Sequence, residues 1–179
     1  MKRVVLVEDD PEQANSIKAC IMRHLVDVDV EVIEDESDFC EWLARLAPGD
    51  PATPVLIVSC IMMPWDSERL TDPPEASKDF RWAGLRCWKR FRERADLKNI
   101  PWIYFTVLDE LTMQFEKNHD MFTGYAQKSG SIDPLLLEID SILAFASEVA
   151  EDPAFGLKMQ EILRKGMSTP FEECQTRLP

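Results

Sequence analysis

Two kinds of apolar pattern alternate along the chain. Residues 3–7 form a short branched run without polar interruption, as expected of a strand buried on both faces. Asp10-Pro11 then supplies an N-cap and a first-turn proline. After it Ile17, Cys20, Ile21, His24 and Leu25 recur at helical spacing. Residues 28–33 predict a second strand. Ser37 opens a helix with Phe39, Trp42, Leu43 and Leu46 on one face, and Pro48-Gly49-Asp50-Pro51 ends it. Residues 55–59 predict a third strand, and the polar, proline-containing stretch 66–81 a long loop. A helix over 84–94 turns Leu85, Trp88 and Phe91 inward. A fourth strand over 101–105, a helix over 109–118 and a weaker fifth strand over 122–127 follow. The helix expected over 134–149 is apolar around much of its circumference, which calls for cover by the tail or by a partner. Pro153 starts one more helix, carrying Phe155, Leu157, Met159, Ile162 and Leu163. The last stretch, 169–179, reads as loosely ordered.

Strands alternating with helices imply an α/β fold, a doubly wound, five-stranded parallel sheet covered on both faces. One domain over residues 1–149 with a loop insertion at about 66–82, then a helical extension and tail over 150–179, accounts for the whole pattern. In open sheets of this kind, chemistry sits beyond the carboxyl ends of the strands. The residues found there are Glu8 and Asp9, then Cys60, then Thr106, then Lys128.

Composition narrows the function classes. A chain of 179 residues with 45% hydrophobic content can bury a sizeable core and is not disordered. Its net charge of -13 argues against direct contact with nucleic acid, because phosphate repels such a surface. The short basic run 89–94 carries an acid and reads as a solvated helix face. The 5 cysteines are odd in number and show no zinc-type spacing, so they read as free thiols of a reducing cytosol. No stretch resembles a signal peptide, and the longest apolar run, 55–65, is too short to cross a bilayer. These features point to a cytoplasmic protein without a membrane partner. Catalysis finds no support beyond the Glu8/Asp9 pair: there is no glycine-rich phosphate loop and no nucleophile–base pair.

The run Val55-Leu-Ile-Val-Ser-Cys-Ile-Met-Met-Pro64, with the acidic pair, Thr106 and Lys128 each at a strand end, resembles the CheY-like receiver domain of response regulators. The resemblance covers about residues 2–149 and implies a flavodoxin-like (βα)5 sheet of strand order 2-1-3-4-5, with the last helix as an addition. It implies that Glu8 and Asp9 hold a divalent cation together with the Met62 backbone carbonyl. It implies that Thr106 and Lys128 meet the phosphoryl group and that Tyr125 is the rotamer switch. Partners would dock on a face containing Leu111, Phe115, Leu135 and Ile139.

The chain departs from the family at four places. Cys60 stands where the phospho-accepting aspartate is expected, and a thiol cannot form an aspartyl phosphate. Cysteine is also a soft ligand where magnesium is hard, so Mg2+ binding is expected to be weakened and no cofactor is required. Ser129 replaces the proline usual after the lysine, and Val107 replaces a small residue. The long loop leaves from the site edge and could lie over it as a lid, or present Trp65, Phe80 and Trp82 to a partner. The implied function is that of an atypical, stand-alone receiver-like module of two-component or phosphorelay signal transduction. It would not be phosphorylated at the usual position and would act by protein–protein interaction, with a histidine kinase or an output protein as partner and a homodimer as a second option. The alternative is a metal-, ligand- or redox-responsive switch built on Cys60 and the acidic pocket.

Overall fold

The computed structural model of the protein describes residues 1–66, 73–108 and 121–166, with side chains not described at 76, 160 and 162–166. Its strands are β1 (Lys2–Val7), β2 (Val28–Ile33), β3 (Leu56–Ser59), β4 (Trp102–Thr106) and β5 (Thr123–Gln127). Its helices are α1 (Pro11–His24), α2 (Glu36–Arg45), α3 (Ala83–Arg92), α4 (Asp133–Glu151) and α5 (Pro153–Gly166). All five strands are parallel and run in the order β2-β1-β3-β4-β5, the doubly wound flavodoxin-like topology. The helix expected over 109–118 lies outside the described residues, as do Leu111 and Phe115. Among the described residues no helix is long and apolar enough to cross a membrane.

Period-two alternation divides the strand side chains between two cores. Val5, Val7, Ile57, Trp102 and Tyr104 face α2 and α3, where Phe39, Trp42 and Phe91 complete an aromatic layer. Val4, Leu6, Val58, Ile103 and Phe105 face α1 and α4 and meet Ile17, Ile21, Leu135, Ile139 and Ile142. Leu135 and Ile139 are wholly buried there, so they form core and not part of an open docking face. The reason is local. Pro134 sits in the first turn of α4 and sets a helix whose buried positions fall on the sheet side, at Leu135, Ile139 and Ile142.

Caps set the helix starts. The Asp10 carboxylate accepts from the Glu12 and Gln13 N–H groups, at 2.9 and 3.0 Å. Asp35 does the same for Asp38 at 2.8 Å, which starts α2 one residue before the predicted Ser37. α5 folds back on its own domain: Phe155 meets Phe145, which meets Phe122, with ring centroids 6.0 and 5.6 Å apart.

The basic run is not the solvated face that its composition predicts. Phe91 is fully buried. Arg90 pairs with buried Glu36 at 2.7 Å. Arg92 donates to the Ile100 and Phe122 carbonyls, at 2.9 and 3.1 Å. Arg94 donates to the Leu43 and Leu46 carbonyls. Three arginines thus satisfy carbonyl and carboxylate groups that loops and helix ends leave over.

Candidate functional site at the carboxyl edge of the sheet

Three backbone hydrogen bonds carry the sheet register past the ends of its strands. Glu8 N–H donates to the Ile33 carbonyl, Cys60 N–H to Val7 and Lys128 N–H to Thr106, at 3.0, 2.8 and 2.8 Å. Glu8, Cys60 and Lys128 are therefore held side by side by main chain, and their side chains converge. Lys128 Nζ donates to Glu8 Oε2 at 2.6 Å and to Gln13 Oε1 at 3.1 Å. It lies 3.7 Å from Cys60 Sγ and 5.6 Å from the centre of the Phe105 ring. A hollow of about 560 Å3 opens above them, with Asp9, Asp10, Met62, Met63, Pro64, Phe80 and Val107 among its lining residues.

Burial decides the charge states. It pushes the Glu8 carboxyl up, against the opposing pull of the Lys128 ammonium hydrogen-bonded to it. Asp9 is also raised by burial, though its side chain remains exposed. The Cys60 thiol is raised by burial above its ordinary 9.0, Lys128 opposing and Glu8 reinforcing the shift. Burial disfavours the Lys128 ammonium as well, but the Cys60 sulfur and the Glu8 carboxylate outweigh it and hold Lys128 above its ordinary value. The geometry is that of a closed Lys128–Glu8 pair at 2.6 Å beside a thiol whose ionisation burial disfavours.

This arrangement suits a hard divalent ion poorly. One ligand atom each from Glu8, Asp9 and Cys60 lies within 4.8 Å of the others. But Glu8 is taken by Lys128, and the sulfur is soft. That leaves the exposed Asp9 as the second carboxylate, and an ion of the magnesium kind weakly held.

The other residues expected to take part lie as follows. Thr106 ends β4, is fully buried, and its hydroxyl accepts from Leu108 N–H at 3.3 Å; it does not line the hollow. The Tyr125 hydroxyl donates to the Leu108 carbonyl and its ring packs against the aromatic core. The Lys128–Ser129 peptide is trans. Val107 is exposed and lines the hollow. Ser59 is buried and donates to the Cys60 carbonyl.

Part of the predicted loop is structured, with short 3-10 turns at Glu75–Ser77 and Phe80–Trp82. Met63 N–H donates to the Phe80 carbonyl, which brings Phe80 to the rim of the hollow. Trp82 packs against the aromatic core, leaving Phe80 as the exposed aromatic of the pair. The insertion is fastened by a buried carboxylate that sequence reasoning missed. Glu36 accepts from Arg86 at 2.7 Å, Arg90 at 2.7 Å and Ser77 at 3.0 Å. Arg86 also donates to the Asp79 carbonyl. The signal was present: Arg86 and Arg90 stand one helical turn apart on one face of α3, opposite an acid at the start of α2.

No family profile and no curated protein sequence matches the chain. Solved structures do match in fold. A sensor protein from Polaromonas sp. JS666 is 12% identical, with a TM-score of 0.59 over 81% of this chain and 98% of that one. Chemotaxis response regulator CheY4 of Vibrio cholerae is 15% identical, with a TM-score of 0.57 over 79% and 98%. The receiver domain of Klebsiella pneumoniae RstA is 23% identical, with a TM-score of 0.55 over 79% and 98%. The chain has the CheY-like receiver fold, with Cys60 directly after β3.

Proposed function

We propose that the protein is a receiver-like module of two-component signalling that has given up phosphoryl transfer and works by binding another protein. The observation that carries this reading is Cys60 at the end of β3, with Lys128 Nζ 3.7 Å from its sulfur and already paired with Glu8. Phosphoryl capture at this position needs a carboxylate nucleophile, a metal to neutralise incoming charge, and a lysine free to meet the product. The first is absent, the second is weakened, and the third is engaged. The module is not an enzyme on this reading. Recognition would fall to the rim of the hollow, where Phe80 and Val107 are both 56% exposed. The partner class is a histidine kinase or output protein, with a second copy of the chain as the next option and nucleic acid disfavoured by the net charge. The test is intact-mass measurement after incubation with Mg2+ and acetyl phosphate. The parent is expected to gain no phosphate while Cys60→Asp gains one. A stable phosphate on the parent would overturn the reading.

A second reading is a metal- or redox-responsive switch, favoured by the mixed carboxylate and thiol donors of Glu8, Asp9 and Cys60 within 4.8 Å. It requires Zn2+ binding or peroxide-dependent change that Cys60→Ser abolishes. Burial of the thiol counts against it, because the thiolate is the reactive form.

A further inference from the structure

The opposite edge of the sheet carries a second cavity, of about 670 Å3, which the site above does not use. α5 closes one side of it with Gly156 and Leu157, and the end of α4 adds Val149 and Ala150. Trp88 and Phe122 form the far wall. The wall is fixed in shape. Trp88 Nε1–H donates to Thr123 Oγ1 at 3.0 Å, which sets the indole plane. Gly156 lets the two helices close up, since a Cβ there would stand 2.9 Å from Val149 Cγ1.

Its charged groups are of one sign. Lys98 and Arg92 line the cavity with Asn99, and among the described residues no carboxylate does. Arg92 is held against the Ile100 and Phe122 carbonyls, and its guanidinium lies 6.0 Å from the Trp88 ring centre. Lys98 is exposed. Of the acids nearby in sequence, Asp152 accepts from Ala154 N–H at the start of α5. In a chain of net charge -13, an apolar cleft lined by cations and no acids is a local reversal of charge. Small-molecule sites commonly combine that size with apolar walls and a few convergent polar groups.

We propose that this cleft binds an amphipathic organic carboxylate, its hydrocarbon part between Trp88, Phe122 and Leu157 and its charged head at Lys98. The proposal is independent of the reading of the Cys60 site.

The test is titration of the full chain with decanoate, and separately with decanol, followed by backbone amide NMR and calorimetry. Decanoate is expected to bind one to one and to shift amides near Trp88, Phe122 and Gly156. Decanol is expected to bind more weakly. Lys98→Glu changes an exposed residue and should weaken decanoate by about tenfold or more. Ala150→Trp, also at an exposed position, should fill the cleft and abolish both. Equal affinity for decanol, unchanged affinity in Lys98→Glu, or shifts confined to other surfaces would each overturn the proposal. So would binding seen only after removal of residues 167–179, which would make the chain's own tail the occupant. Shifts that follow protein concentration instead of decanoate would point to a second copy and overturn it equally.

Discussion

Cys60 shows how much one side chain decides. Its backbone position is that of any residue at the end of a buried parallel strand, fixed by the hydrogen bond to Val7. Its chemistry is set by burial. With its pKa raised above 9.0, little thiolate exists at neutral pH. Peptide-mapped alkylation by iodoacetamide should therefore be slow at Cys60 at pH 7 and rise through pH 9 and beyond; fast labelling at pH 7 would contradict the burial argument. The ion pair beside it makes a second prediction. Lys128→Met leaves Glu8 buried without its cation, which should cost about 3 kcal/mol at pH 7 by urea denaturation. Burial raises the folded Glu8 pKa above its ordinary 4.5, so the folded chain binds that proton more tightly than the unfolded chain does. Its contribution to stability thus falls as pH rises from 4.5 through the raised value, and the deficit of the variant should shrink toward pH 5. The convergence of Glu8, Cys60 and Lys128 was legible because strand ends in such sheets share one edge. The hydroxyl of Thr106 was not, because its choice of Leu108 N–H depends on the path of the following loop.

The elements themselves were read within a residue or two at most ends, since branched runs and helical spacing are local signals. What the sequence hid were contacts between elements. Glu36 and its arginines are 50 and 54 residues apart, and local periodicity says nothing about such pairs. The same blindness made the run 89–94 look solvated. This cluster ties α2, the insertion and α3 together, so Glu36→Gln should destabilise the protein by about 3 kcal/mol or more, read from the urea midpoint, by leaving Arg86 and Arg90 short of their counter-charge. Gly84 is a second joint. A Cβ there would stand 2.2 Å from the Cys60 carbonyl oxygen, a backbone atom that cannot step aside cheaply. Gly84→Ala should lower stability by about 2 kcal/mol or more, with the loss accompanied by altered amide shifts at Cys60 and Ile61. Unchanged stability in that variant would mean that the approach of α3 to β3 is looser than described.

At the scale of the molecule, the parallel sheet followed from alternation of strand and helix, its strand order from the resemblance to receiver domains, and the tail helix from its own apolar spacing. Where that last helix docks did not follow, because an amphipathic face states that it needs cover without naming the cover. The chain of rings Phe122, Phe145 and Phe155 gives the answer. Removing residues 153–179 should lower the melting temperature and promote self-association, measured by calorimetry and sedimentation, as the Phe145 side of α4 loses its cover. The Lys128–Glu8 pair also bears on what the molecule can report. A conventional relay encodes time: a group is gained, persists and is lost, and the output follows that lifetime. Here the cation that would greet such a group is answered from within the chain. If the chain gains no such group, as proposed above, the quantity left for a cell to vary is the number of copies, and synthesis and degradation would take the place of phosphorylation and its reversal.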